Sequence, residues 1–351
     1  MASLKPDWKA NEGLPVGKGA TFQQWVATVG NDELVMDVAP WGEGHLKVNG
    51  REIAHIDDAK DRRGAFRNLN RIAERYLEGQ VIEPASKKPS SMIPVVKAKL
   101  LEGKRGLIVG IANDQSIAWG CARAFRAFGA ELAVTYLNDK AKKYVEPLAR
   151  ELEAPILMPL DVGVPGETEA VFARIGKEWG RLDFLVHSIA FSPREALHGR
   201  VVDVAREGFL TTMDVSCWSF IRMAHLAEPL MTNGGTMFTM TYYGSQMVVE
   251  NYNIMGVAKA ALESAVRYLA AEVGPKGIRV HAISPGPLAT RAASGIPEFD
   301  ELLEKAQAKA PARSLVSIDD VGVATAFLAL DGARLITGET LYVDGGYHII
   351  D

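Results

Sequence analysis

The sequence predicts an α/β fold: a doubly wound parallel sheet of about seven strands, preceded by a small α+β N-terminal module. Three observations carry that expectation. From residue 104 onward, short apolar runs alternate with helical patterns of ten residues or more, which implies parallel strands joined by crossover helices. The first of these units, residues 104–129, is a strand, a turn and an amphipathic helix closed by Gly129. Ahead of it, residues 83–94 are rich in Pro, Ser and Lys and read as a linker, so the chain is expected to divide into a module at 1–82 and a domain at 95–351.

Taken in order, the module shows strand patterns at 33–38 and 45–56, the second folded on itself at Asn49-Gly50, a strong two-residue hairpin signal. A helix follows, with Ala65, Phe66, Leu69, Ile72, Ala73, Tyr76 and Leu77 on one stripe. Its opposite face carries Arg62, Arg63, Arg67, Arg71 and Arg75, a pattern that fits either a solvated surface or a dock for an acidic partner. In the larger domain the strands are expected at 104–110, 130–136, 155–160, 182–187, 235–241, 278–283 and 339–343. Long helical stretches are expected at about 206–231 and at 252–273, each with apolar residues on more than one face.

In a parallel sheet of this kind, ligands bind beyond the carboxyl ends of the strands, and the first turn is where a dinucleotide pyrophosphate meets a helix N-terminus. Gly110 ends the first strand, Ser116 opens the helix as a cap, and Gly120 in its first turn is expected to let backbone approach the pyrophosphate. The spacing is Gly110-x5-Ser116-x-Ala118-x-Gly120, so the usual G-x-G-x-x-G of a Rossmann-like turn is absent. Asp161, Ser188, Tyr242 and residues 284–290 all fall at or just past strand ends.

The most specific pattern is Tyr252-x6-Lys259, with Tyr242 ten residues earlier. At about 100° and 1.5 Å per residue, seven steps along a helix return to nearly the same side about 10 Å further on. A tyrosine can donate a proton or a hydrogen bond to a developing oxyanion and a lysine can hold a cofactor sugar, so the pair suits a reductase. In most short-chain dehydrogenases the tyrosine stands four residues before the lysine. That position is Met255, which has no proton to give, and the donor must be Tyr252 or Tyr242.

These residues, with Leu160-Asp161-Val162, His187-Ser188-Ile189-Ala190-Phe191, Ser284-Pro285-Gly286-Pro287-x-x-Thr290 and Val343-Asp344-Gly345-Gly346, resemble the bacterial NADH-dependent enoyl-acyl carrier protein reductases of the short-chain dehydrogenase/reductase superfamily. The resemblance runs from about 101 to 351, and the N-terminal extension lies outside it. It implies the last reductive step of the type II fatty acid elongation cycle, on enoyl thioesters of acyl carrier protein, by a cytoplasmic homotetramer. Tyr252 then stabilises the enolate oxygen, Lys259 holds the nicotinamide ribose, and Tyr242 lines the pocket as the second candidate donor. Asp161 and Val162 flank adenine, Ser188, Ile189 and Ala190 pass under the cofactor, and the segment holding Ile283, Pro285, Gly286 and Thr290 covers it. Gly110, Ser116, Ile117 and Leu137 join the cofactor set, and Phe191 and Met255 the substrate set.

Residues 136–140 end the second strand without an acid for a ribose hydroxyl or an arginine for a phosphate, and Lys140 stands alone, which favours NADH over NADPH. Met237, Met240, Met247 and Met255 are expected to supply part of an apolar pocket wall or core filling. A net charge of −4 argues against a general nucleic-acid binder, and no apolar run reaches membrane-spanning length. The seven histidines lack metal-ligand spacing, His187 reads as a core residue, and Cys121 and Cys217 read as buried thiols of a reducing compartment. A ketone or alcohol dehydrogenase, opposed by Met255, and a non-catalytic dinucleotide-binding protein, opposed by Tyr252 and Lys259, are the alternatives.

Overall fold

The computed structural model describes residues 9–11, 15–16, 20–21, 23–29, 32–38, 44–49, 51–56, 66–70, 73, 99–288, 303 and 306–350. The chain divides into two compact units, Met1–Met92 and Ile93–Asp351. The expected linker at 83–94 and most of the arginine face lie outside the described residues; Arg67, which lies within them, is exposed.

In the first unit, β1 (Lys9–Asn11), β4 (Gln23–Val29), β5 (Asp32–Val38), β6 (Gly44–Val48) and β7 (Arg51–Ile56) form an antiparallel sheet in that order, and β2 (Pro15–Val16) pairs with β3 (Ala20–Thr21). The β6–β7 hairpin turns at Asn49, whose positive φ of 49° suits a two-residue loop. Its side chain accepts from the Glu33 N–H at 2.8 Å, fastening the turn to β5. Leu34, Met36, Val38, Leu46 and Val48 are buried, as are Leu69 and Ala73 of the helical stripe. Across the sheet, Asp37 accepts from Gln24 at 2.8 Å and pairs with Lys47 at 3.3 Å, so its buried carboxylate is satisfied.

The second unit is a seven-stranded parallel sheet in the order β10-β9-β8-β11-β12-β13-β14. Its strands are β8 (Arg105–Val109), β9 (Glu131–Tyr136), β10 (Ile156–Pro159), β11 (Phe184–His187), β12 (Gly235–Met240), β13 (Ile278–Pro285) and β14 (Thr340–Val343). Successive side chains point to opposite faces, and both faces are apolar: Ile108, Val134, Val186 and Phe238 join one core, Leu107, Ala133, Leu185 and Met237 the other. The first core is closed by α1 (Ile117–Ala127), α2 (Asp139–Glu151) and α8 (Ile318–Leu328). The second is closed by α3 (Glu167–Trp179), α6 (Ser219–Ala227) and α7 (Asn253–Val273). Short helices α4 (Arg194–His198) and α5 (Arg206–Met213) precede α6.

The stretch expected as one helix at 206–231 is instead α5, a π-helical turn at Asp214–Trp218, α6 and a 3-10 turn. Gly120 is a second correction. A Cβ there would lie 2.0 Å from the Ile318 carbonyl oxygen, so its missing side chain lets α1 and α8 pack closely. Its absent side chain therefore serves the packing of these two helices.

Two core histidines give the fold an acid limit. His187 bonds Thr239 at 2.9 Å and Ser219 at 2.8 Å, and burial pulls it down to about 3. His281 is stacked on Phe238, and burial followed by Arg279 pulls it down to about 4, against an opposing backbone hydrogen bond at Ile336. Both are neutral when folded, whereas in the unfolded chain they take up protons below about pH 6.5. Stability is therefore full above that pH and falls by roughly 1.4 kcal/mol per unit for each histidine as the pH drops toward the folded values. Urea titrations at pH 7.5 and 5 are expected to show this loss, and His281→Phe to reduce its slope; an unchanged slope in that variant would remove His281 from the account.

Candidate active site

The sheet order places β8 between β9 and β11, where chain connections depart in opposite directions and leave a crevice beyond the strand ends. Gly110 closes β8 at φ 111°, and a Cβ on it would lie 2.1 Å from the Ser188 carbonyl oxygen. The Ser188 N–H in turn donates to the Val109 carbonyl at 2.9 Å, so the two strand ends are held edge to edge with backbone exposed to the crevice.

Ser116 departs from the expected cap. Its hydroxyl oxygen accepts from the Ala112 and Asn113 N–H groups at 3.0 and 3.1 Å and makes no cap bond to α1. The side chain therefore shapes the turn itself. The Ile117 and Ala118 N–H groups open α1 with no carbonyl behind them among the described residues, and its first turn carries no acid, which leaves a positive helix end toward the crevice. A cradle that a Cβ would fill and an open helix N-terminus at the switch point fit a dinucleotide pyrophosphate.

Across the crevice, the chain leaves β12 through Thr241, whose N–H donates to the Ile283 carbonyl at 2.8 Å, and enters a 3-10 turn at Tyr243–Ser245. Tyr252 is the N-cap of α7, one residue before the helix proper, flanked by Asn251 and Asn253 at positive φ. The Asn253 side chain donates to the Leu197 carbonyl at 2.9 Å, pinning this helix start. Tyr242 and Tyr252 meet edge to face with centroids 5.1 Å apart, so the structure brings both tyrosines to one place. Burial raises both hydroxyls well above the ordinary tyrosine range. They therefore remain protonated, and able to donate, throughout the pH range in which the fold is stable.

Lys259 is buried two turns further along α7 and donates to the Met240 carbonyl at 2.8 Å, at the end of β12. Burial pulls its ammonium down to about 8, partly offset by Cys217 and Glu263.

Gly256 permits this assembly. A Cβ there would lie 2.7 Å from the Gly244 carbonyl oxygen, and one on Gly244 would lie 2.6 Å from the Tyr252 ring. Gly256→Ala favours the helix by about 1 kcal/mol in propensity yet must push the 243–245 turn away from Tyr252. Turnover is expected to fall roughly tenfold or more at near-unchanged melting temperature. Unchanged turnover would show that the turn's seating is irrelevant.

The other expected residues are placed unevenly. Asp161 follows β10, its N–H donating to Glu167 and its carboxylate accepting from the Gly163 N–H, with Val162 partly buried beside it. Leu137 is exposed past β9. Ser188, Ile189 and Ala190 follow β11, and Phe191 is half exposed. The Ile283 side chain is buried in the core, Pro285 ends β13, and Gly286 follows it with its N–H donating to the Val343 carbonyl at 3.0 Å. Thr290 lies outside the described residues. Met255 is buried and Met247 is exposed, whereas Met237 is core filling.

Three contributors escaped sequence reasoning. Ser216, in the π-helical turn, accepts from the Phe191 N–H and donates to the Phe191 carbonyl, both at 3.0 Å, and so clamps the segment after β11. Glu263 is buried on α7. Gly256 was visible as a glycine inside a helix, which costs stability and needs a reason.

A parallel sheet with this strand order, an anion-ready first turn and a tyrosine and buried lysine beyond its carboxyl edge define a nicotinamide-dependent reductase of the short-chain dehydrogenase class. The family model for Enoyl-(Acyl carrier protein) reductase matches residues 110–348. The chain is 50% identical over 250 residues to enoyl-[acyl-carrier-protein] reductase [NADH] 2 of Rhizobium meliloti, covering 71% of this chain and 93% of that protein. It is 45% identical over 250 residues to the NADH enoyl-[acyl-carrier-protein] reductase of Escherichia coli, covering 71% and 95%. Among solved structures, the Anaplasma phagocytophilum reductase in complex with NAD superposes with TM-score 0.69 at 49% identity, over 72% of this chain and 96% of that one. The Bacillus cereus reductase with NADP+ and indole naphthyridinone gives 0.70 at 43%, over 72% and 99%. The chain belongs to the enoyl-acyl carrier protein reductase family.

Proposed function

We propose that the protein reduces the trans-2 double bond of enoyl thioesters carried on acyl carrier protein, with NADH as reductant. The observation that carries this reading is the site's donor set: Tyr252 and Tyr242 in ring contact, Lys259 buried on the same helix, and Met255 where a carbonyl reductase has its acid. Residues Gly110, Ser116 and Ile117 would hold the pyrophosphate, Asp161 and Val162 the adenine end, and Ser188 to Ala190 with Pro285 and Gly286 the central part. NADH bound there supplies a hydride for the β carbon of the enoyl group.

Tyr252 donates a hydrogen bond to the thioester oxygen as negative charge collects on it, in a site where burial keeps the hydroxyl protonated. Lys259 orients the ribose and its positive charge favours that anion. Tyr242 stands against Tyr252 and limits where the thioester can sit. Met255 offers no proton to a ketone, which opposes alcohol formation. Loss of NADH absorbance with crotonyl-coenzyme A but not with acetoacetyl-coenzyme A is the expected result. The reverse preference would make this a ketone reductase, and inactivity toward both would sink the reading.

The proposed setting is a cytoplasmic homotetramer. Among the described residues no helix is long and apolar enough to cross a membrane, and both cysteines are free and buried. Phe209, Leu210, Trp218, Val257 and Tyr268, from α5 through α7, remain exposed on one protomer, as a subunit interface requires. Sedimentation at micromolar concentration is expected to give a tetramer; a fully active monomer would refute it.

A further inference from the structure

We propose that Glu263 is a positioning residue that fixes the turn carrying Tyr242 against the helix carrying Tyr252 and Lys259; the inference rests on the site reading above. Glu263 is buried on α7, one turn beyond Lys259. A single carboxylate oxygen, Oε1, accepts from the Thr241 hydroxyl at 2.7 Å and from the Ser245 hydroxyl at 2.6 Å. Those two hydroxyls bracket Tyr242 and its neighbours, so one side chain of α7 grips both ends of the turn.

The turn's other bonds do not tie it to α7: the Tyr243 hydroxyl donates to the Tyr347 hydroxyl at 3.5 Å and the two rings meet edge to face, which fastens the turn to the C-terminal segment instead. Ser245, Gln246 and Met247 donate to carbonyls of Tyr242 and Tyr243, which closes the turn on itself without tying it to α7. Thr241 is anchored to β13 through its N–H. Between the turn and α7 there remain the close approach of Gly244 to Gly256 and the ring contact of Tyr242 with Tyr252, neither of which is directional enough to fix the turn's tilt. An apolar side chain would fill the place of Glu263 without the cost of desolvating a carboxylate. What the carboxylate adds is two short, oriented, charge-assisted bonds. Lys259 lies within electrostatic reach, and the same carboxylate offsets the burial of that ammonium.

Because Oε1 accepts both bonds, glutamine retains them with its own carbonyl oxygen, while alanine loses both. Steady-state kinetics with crotonyl-coenzyme A, together with NADH titration by fluorescence, are therefore compared for E263A, E263Q, S245A and Y252F. E263A is expected to lower kcat/KM about tenfold or more with the NADH Kd within twofold of wild type, and E263Q to return kcat/KM to within about threefold. S245A removes one bond at a partly exposed position and is expected to raise KM about threefold, which keeps the test open if E263A does not fold. Wild-type kinetics in E263A or S245A, or E263Q as impaired as E263A, would overturn the inference. Retained activity in Y252F would instead sink the site reading itself, whereas a Y252F loss beside unaffected E263A and S245A sinks the positioning role alone.

Discussion

Tyr252→Phe is expected to lose about 10²-fold or more in turnover while the NADH dissociation constant stays near wild type. The ring would keep its contacts with Tyr242 and Gly244, so the variant deletes one hydroxyl and little else. That hydroxyl is a donor in a partly buried place where burial holds its proton. A hydrogen bond to an oxygen gaining charge strengthens as the reaction proceeds, and its loss therefore appears in kcat. Tyr242→Phe is the control. If it loses turnover and Tyr252→Phe does not, the roles of the two tyrosines are exchanged.

Lys259→Ala is expected to weaken NADH binding about tenfold to a hundredfold, the range for losing a charged hydrogen-bond donor, and to reduce turnover as well. It also leaves the Met240 carbonyl without its buried donor, so melting temperature should be measured alongside calorimetric titration of NADH. An unchanged dissociation constant in a folded variant would remove Lys259 from the cofactor site. The wild-type pH profile gives an independent reading. With the ammonium held at about 8, the cation is present below that pH and lost above it, so kcat/KM should decline as pH rises through about 8. Lys259→Arg, which stays charged, should move that falling limb to higher pH.

The parallel sheet was legible because buried strands are apolar on both faces and bounded by turn residues, and the observed ends differ from the sequence reading by one or two residues, as at β9 and β11. Asn49-Gly50 marked its hairpin for the same reason: only a few residue types accept its backbone. The strands β1 to β4 went unseen. Two of them have only two residues, too short for any period, and β4 (QQWVATV) begins with two polar residues. The π-helical turn at Asp214–Trp218 leaves no mark on an apolar stripe already broad enough for either helix type.

At the candidate site, the seven-residue interval put Tyr252 and Lys259 two turns apart on one helix, because a helix fixes where residues seven apart must stand, whereas Tyr242 lies off that helix, past the end of β12. Glu263 stayed hidden because an acid on a helix usually faces water, and nothing local says that Thr241 and Ser245 come to meet it. Ser116 was read as a cap from its position. The turn before it offered better acceptorless N–H groups, and its hydroxyl went there.

The claim that hydride is delivered to the carbon–carbon double bond at this site is tested most directly by isotope transfer. Crotonyl-coenzyme A is to be turned over with NADH dideuterated at nicotinamide C4, and the product examined by mass spectrometry and NMR. The account predicts butyryl-coenzyme A with one deuterium on the β carbon and a solvent hydrogen on the α carbon, formed by wild type and strongly suppressed in Tyr252→Phe. Deuterium on a carbon bearing a hydroxyl, or no transfer of label from NADH, would contradict it.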